Sequence, residues 1–149
     1  MDIIYRTASK EDLPGILSLY RQLNPDDVLP EISTAEAIWK IIDTNEGFRF
    51  FIAEENGKII SCCNCAIIPN LSRRGKSFAV IENVITDTAY RRRGIGKQVM
   101  LHAIQFAKTG NCYKVILLSS SKRTEAHEFY RSIGFNGESK KGFEIRFND

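Results

Sequence analysis

The sequence predicts one α/β domain over residues 1–149, a mixed, mostly antiparallel sheet of six or seven strands flanked by four helices, and three observations carry that reading. The chain opens with a strand and two helices. Three apolar segments follow as a run of strands, two of them joined at Asn56-Gly57, the strongest short hairpin signal present. After residue 94 the pattern changes to helix, strand, helix. With 149 residues, 43% of them hydrophobic, the chain has the size of one domain with one core, and neither a linker nor an internal repeat divides it.

The elements follow in order. "DIIYRTA" reads as a strand and "SKEDLPGILSLYRQL" as a helix capped by Ser9, with Asp12 three residues on and Ile16, Leu19, Tyr20 and Leu23 on one face. "NPDDVLPEIS" is a loop by its prolines and aspartates. "STAEAIWKIIDTN" is a second helix, with Ser33 or Thr34 as its cap and Ala37, Ile38, Ile41 and Ile42 inside. "FRFFIAEENGKIISCCNCAII" is the hairpin, "PNLSRRGKSF" a turn and "FAVIENVITD" the third strand of the antiparallel run. From Gly94 to Lys108, Ile95, Val99, Met100, Ala103, Ile104 and Ala107 recur at helical spacing, and Gly110 stops the helix. "YKVILLSS" is a strand, "RTEAHEFYRSI" a helix ended by Gly134, and "GFNGESKKGFEIRF" a final hairpin.

Charged residues make up 26% of the chain and the net charge is +3, the composition of a soluble globular protein. A near-balanced charge exerts little long-range pull on a polyanion, so nucleic acid is not an expected partner despite the local clusters Arg91–Arg93, Arg73–Lys76 and Lys122-Arg123. Neither a signal peptide nor an apolar run near the ~20 residues that span a bilayer is found, so a cytoplasmic location without a membrane partner is expected. Cys62, Cys63, Cys65 and Cys112 lack a zinc-like spacing with other ligands, which points to buried or partly buried free thiols and no metal.

"YRRRGIGKQV", residues 90–99, concentrates chemistry. A helix beginning at about Gly94 presents unpaired N–H groups and the positive end of its dipole, and glycines at 94 and 96 let a ligand approach the backbone closely. That is an anion site. Two other phosphate loops are excluded: a Walker loop needs four residues between its glycines, and a dinucleotide fingerprint needs a third glycine where Val99 stands. From the turn alone, an arginine-rich helix start without a ligand stays open.

The order "IENVITDTAYRRRGIGKQV", "GNCYKVILLSS", "EAHEFYRSIGF" closely resembles the GCN5-related N-acetyltransferase (GNAT) superfamily, strongly over residues 48–137 and in arrangement only before them. The family's signature turn, Arg or Gln, any two residues, Gly, any residue, then Gly or Ala, is met by Arg91, Gly94 and Gly96. The resemblance implies the GNAT-type acyl-CoA fold, with a cleft between "FAVIENVIT" and "YKVILL", and acetyl-CoA as cosubstrate. It implies that amides from about Arg92 to Lys97 hold the pyrophosphate, with Arg91, Arg92, Arg93 and Lys97 supplying charge around Gly94, Ile95 and Gly96. Backbone of Val84 and Ile85 would pair with the pantetheine arm, and Ser119 would line the cleft beyond the next strand.

Two residues are implied as catalytic. Glu82 matches the carboxylate that takes the ammonium proton through water, and Tyr130 the phenol that protonates the departing thiolate. A strand glutamate in a structural ion pair and an aromatic packed at a helix end are the plainer alternatives. Arg123 stands where many relatives carry an asparagine, which leaves that cofactor contact open between a phosphate and simple surface charge. His127, three residues before Tyr130, and His102 read as structural or surface groups.

For the acceptor, Asp26, Asp27 and Glu31 suit a cationic amine, and Arg73, Arg74 and Lys76 an anion on the same molecule. The expected activity is acetylation of a small-molecule amine, with protein or peptide amines second and a non-catalytic acetyl-CoA sensor third. Cys112 precedes its strand, so direct attack without a covalent acetyl-enzyme is expected. A homodimer contact through the final hairpin is a further expectation.

Overall fold

Five strands lie in the order β1-β2-β3-β4-β5 in the computed structural model, which describes residues 2–148. They are β1 (Ile4–Thr7), β2 (Phe48–Glu55), β3 (Lys58–Ile68), β4 (Ser77–Thr86) and β5 (Cys112–Ile116). β1 to β4 pair antiparallel and β5 joins β4 in parallel. The helices are α1 (Leu13–Leu23), α2 (Ile32–Asp43), the single turn α3 (Ser72–Gly75), α4 (Ile95–Thr109) and α5 (Thr124–Ile133). Residues up to Leu117 form one compact unit and those from Leu118 another.

In the first unit, the β2–β3 hairpin turns at Asn56 (φ 50°) and Gly57 (φ 79°), the paired positive angles of the turn that matches strand twist. α1 begins after a 3-10 turn over Lys10–Asp12, where the Ser9 N–H donates to Asp12 Oδ2 at 2.7 Å. The same carboxylate accepts both Arg6 terminal nitrogens at 2.8 Å, and Arg6 Nε reaches Glu54 Oε1 at 2.9 Å, so β1, β2 and the start of α1 share one charge network.

One face of the sheet is covered by α1 and α2. Leu13, Ile16 and Leu19 pack there with Ala35, Trp39, Phe50, Ile52, Ile59, Cys62 and Ile85. The other face takes α4, whose Ile95, Val99, Met100, Ala103 and Ala107 are buried, and Phe106 meets Phe51 with ring centroids 5.6 Å apart. Cys62, Cys63 and Cys65 are buried free thiols in β3, and Cys112 is half-buried.

Three expectations need correction. α2 starts at Ile32 with Glu31 as its N-cap, not at Ser33 or Thr34, and it buries Ala35 and Trp39 while Ile38 and Ile41 are 45% and 71% exposed. The indole decides this: Trp39 meets Phe50 edge-on at 5.5 Å, and burying that ring turns the helix about its axis. The sheet has five strands among the described residues, not six or seven, and the final hairpin is not formed. The Gly134 N–H bonds Arg131 O and the Phe135 N–H bonds Tyr130 O, so the first two residues of the expected hairpin close α5 instead, and Phe143, Ile145 and Phe147 stay 86%, 84% and 91% exposed. The dimer contact expected there therefore has no hairpin to use. Among the described residues, no helix is long and apolar enough to cross a membrane.

Two stability predictions follow from this packing. A Cβ added at Gly15 would lie 2.5 Å from Ile59 Cγ1 and 3.1 Å from Ile59 Cβ, so Gly15→Ala is expected to cost about 1–3 kcal/mol despite alanine's helical preference; urea denaturation measures it. Arg6 holds the Asp12 carboxyl below the usual aspartate range, against the opposing effect of burial. The native pKa is depressed, so the stabilisation is present above the unfolded value and is lost as pH falls through the native one. Asp12→Asn should cost about 1–2 kcal/mol at pH 7, and the gap from wild type should shrink in melts at pH 3.

Candidate active site

β4 is where the sheet opens. Its pairing with β5 matches Ser77 with Cys112, Ala79 with Val115 and Val80 with Ile116, and goes no further, whereas β4 runs on to Thr86. From Ile81 to Thr86 the strand is paired to β3 alone, and its other edge offers main-chain groups to an added strand. On the β3 side Asn64 faces Glu82 and Cys62 faces Ile85, so Asn83 and Val84 together stand against Cys63. This is a β-bulge, which bends the strand and re-aims its groups. Asn83 adopts φ 53°, a left-handed conformation that asparagine tolerates better than most residues.

The sequence-predicted residues fall around that bulge. Glu82 is exposed, and among the described residues no cation lies within ion-pair distance of its carboxylate. Val84 is half-buried and Ile85 belongs to the core, with its carbonyl accepting the Ser61 hydroxyl at 3.1 Å. Beneath lies a polar group that sequence reasoning missed. The Tyr20 hydroxyl is buried beside Cys62, faced by the carboxamides of Asn83 and Asn64, none of which closes a full hydrogen bond to it. Burial pushes this phenol well above its ordinary range.

Beyond Thr86 the chain turns through Asp87, whose Oδ1 accepts the Ala89 N–H at 2.9 Å, into a 3-10 turn over Thr88–Tyr90. Arg92 (φ 62°) and Gly94 (φ 75°) are both left-handed, and Gly94 is the N-cap of α4. The first main-chain hydrogen bond of α4 runs from the Gln98 N–H to Gly94 O at 3.2 Å. The amides of Ile95, Gly96 and Lys97 therefore precede it and leave the helix end at the positive pole of its dipole. The Ile95 side chain is buried and anchors that end. The arginines divide their work: Arg91 Nε donates to Thr86 O at 3.1 Å and the Arg93 guanidinium lies 5.3 Å from the Tyr90 ring centroid, while Arg92 and Lys97 are exposed beside the amides.

The unit from Leu118 carries the remaining candidates. The Ser119 hydroxyl is buried without a hydrogen-bond partner among the described residues. Arg123 is the exposed N-cap residue of α5, and His127 Nε2 sits 2.8 Å from Ser120 O, so that ring ties the start of the helix to the preceding turn. Tyr130 is half-buried, edge-on to Phe129 at 5.3 Å and to Phe135 at 6.1 Å. His102 is exposed and stacks on Tyr5 at 5.9 Å. On the expected acceptor side, Asp26, Asp27 and Glu31 are exposed, and the Arg73 guanidinium lies over the Tyr113 ring at 5.3 Å.

A methyl group at position 94 would meet nothing within 4 Å, so its cost is the backbone angle alone. Gly94→Ala should lower stability by about 1–2 kcal/mol, read by thermal denaturation, without disturbing the core.

The chain is similar to known acetyltransferases in sequence and in fold. A solved structure from Agrobacterium tumefaciens str. C58, assigned as an acetyltransferase, is 42% identical, covers 97% of this chain and 99% of its own, and superposes with a TM-score of 0.91. The glucosamine 6-phosphate N-acetyltransferase of Trypanosoma brucei brucei is 27% identical over 141 residues, 95% of this chain and 94% of its own length. The glucosamine 6-phosphate N-acetyltransferase 1 of Oryza sativa subsp. japonica is 27% identical over 123 residues, 81% of this chain and 73% of its own. The family description "Acetyltransferase (GNAT) family" matches residues 13–135, from α1 through α5. With the family description matching most of the chain, the chain belongs to the acetyltransferase (GNAT) family, the acetyl-CoA-dependent N-acetyltransferases.

Proposed function

We propose that this acetyltransferase moves the acetyl group of acetyl-CoA to the primary amine of a small molecule, by direct attack within a ternary complex. The observation that carries the reading is the junction of two features: the β4 edge over Ile81–Thr86, without a β5 partner, and the outward amides of Ile95, Gly96 and Lys97 just beyond it. An extended arm adds to such an edge as a strand, and a pyrophosphate suits such a helix end. Both fit one molecule that carries an anionic head and a polar, extended tail.

Bound acetyl-CoA supplies an activated acetyl thioester; the chain's residues do the rest. The amides of Ile95 to Lys97, with Arg92, Lys97 and the outer nitrogens of Arg91, hold the phosphates, and Arg93 braces the loop through Tyr90. Ser119 and Arg123 add contacts to the same ligand. Backbone of Val84 and Ile85 aligns the arm, and an amide at the bulge polarises the thioester carbonyl. Glu82, exposed and unpaired by any described cation, accepts the ammonium proton through water. As the amine nitrogen bonds to the carbonyl carbon and the carbon–sulfur bond breaks, the Tyr130 hydroxyl gives its proton to the leaving thiolate.

The named activities of the relatives support an amino sugar phosphate as the first acceptor to try. The basic turn at Arg73, Arg74 and Lys76, where Arg73 lies over the Tyr113 ring at 5.3 Å, is the sequence's candidate for its phosphate.

The test is release of coenzyme A thiol from acetyl-CoA with a panel of amino sugar phosphates, amino acids, polyamines and peptides. Saturable turnover on amino sugar phosphates is the expected outcome, and turnover confined to peptides would assign a protein substrate. Silence on every amine, with acetyl-CoA binding confirmed by calorimetry, would make the protein a sensor. With the acceptor in hand, Tyr130→Phe and Glu82→Gln should each lower kcat about 100-fold with little change in acetyl-CoA affinity; an unchanged kcat removes that residue from the mechanism.

A further inference from the structure

The loop between β4 and α4 holds its shape through a residue of α1. The Gln22 carboxamide makes two bonds to it: Nε2 donates to Asp87 Oδ2 at 3.3 Å, and Oε1 accepts the Thr88 N–H at 3.0 Å. The Asp87 carboxylate is buried and also receives the Ala89 N–H at 2.9 Å and Lys58 Nζ at 3.2 Å. Its main chain is fixed as well, since the Asp87 N–H donates to Ile60 O at 2.8 Å and the Tyr90 N–H returns to Asp87 O at 2.8 Å. Lys58 and Arg93 each lie 5.3 Å from the centroid of the Tyr90 ring. The first half of the loop is thus tied to α1, to the β2–β3 hairpin and to the end of β4.

The second half is where that tie matters. Arg92 at φ 62° occupies a left-handed conformation that is unfavourable for an L-residue, and it lies between the tied segment and the amides of α4. A loop that spends only part of its time in such a conformation loses ligand affinity in proportion to that fraction. Anchoring Thr88 and Asp87 from outside raises the fraction without touching the ligand. We infer that Gln22 is a positioning residue for acetyl-CoA, a clamp from α1 that holds the loop of residues 87–94 in its anion-binding shape.

This inference rests on the reading of the loop as the acetyl-CoA site. Gln22 is an exposed side chain outside the apolar core, so replacing it changes the loop and leaves the fold intact. Gln22→Met keeps length and removes both bonds. Gln22→Glu can still accept the Thr88 N–H but sets a second carboxylate against Asp87. Titration calorimetry with acetyl-CoA on the wild type and both variants is the experiment, with thermal melts of each free protein. The Kd of Gln22→Met should rise about 5- to 20-fold and that of Gln22→Glu further, with melting temperatures within about 2 °C of wild type. Once an acceptor is known, KM for acetyl-CoA should rise in step while kcat at saturation stays within about twofold. Wild-type Kd values in both variants would overturn the clamp and leave the loop's assignment standing. A wild-type protein that does not bind acetyl-CoA would overturn the assignment and the clamp with it.

Discussion

The candidate site depends on one interruption of hydrogen bonding. β4 and β5 are paired as far as Val80 and Ile116, and β4 then continues for six residues with a single neighbour. A parallel pair of full length would have satisfied that edge internally and closed the sheet to any ligand. The bulge at Asn83 and Val84 falls within the unpaired stretch, where an extra residue can bend β4 without breaking a second ladder. The strand irregularity and the open edge therefore share one location. The polar cluster of Tyr20, Asn64 and Asn83 lies under the same point, so the apolar floor shared by α1 and the sheet is interrupted where the backbone departs from regular geometry.

Charge at the helix start follows a division that composition conceals. Three consecutive arginines suggest a uniform cationic surface, yet two of them are partly engaged by the protein itself, Arg91 with the Thr86 carbonyl and Arg93 with Tyr90. Such contacts give the loop a fixed path, and a fixed path is what lets backbone amides converge on one anion. Arg92 and Lys97 then add charge to a geometry already set. The buried Asp87 carboxylate supports the same arrangement from behind. Burial alone would raise its pKa, but bonds from the Ala89 amide, Gln22 and Lys58 outweigh burial and keep the group below the usual aspartate range, so it stays ionised near neutral pH and holds its partners.

Much of this was legible in the sequence where the cause is local. Asn56-Gly57 turns the hairpin because both residues accept positive φ, Gly94 and Gly134 bound their helices for the same reason, and the apolar spacing of α4 names the buried Ile95, Val99, Met100, Ala103 and Ala107. The signature order from "IENVIT" to "FYRSIGF" identified the family. Failures occurred where a distant partner decides. The face of α2 is set by Trp39 against Phe50, and periodicity alone favoured the isoleucines that remain exposed. "GFEIRF" has the alternation of a strand, but a strand needs a neighbour, and Gly134 and Phe135 are spent closing α5. The bulge was signalled only by an asparagine within a β-branched run. The Gln22–Asp87 contact joins residues 65 positions apart, for which one sequence carries no signal.

The cysteines bear on how acetyl transfer can proceed. A thiol serves as a nucleophile through its thiolate, which calls for a lowered pKa and access to the substrate. Here burial acts in the opposite sense: Cys62 and Cys65 are pushed up to about 12, and Cys63 is raised well above its ordinary value. Cys112 is raised as well, by its own partial burial, and it pairs with Ser77, at the end of β4 remote from the bulge. Three of these side chains fill the middle of β3 and function as small apolar groups that let α1 and α4 approach the two faces of the sheet. Glu82, by contrast, is exposed on the strand whose edge is free. The thiols are thus placed for packing, which supports the proposed direct attack by an amine over passage through an acetylated cysteine.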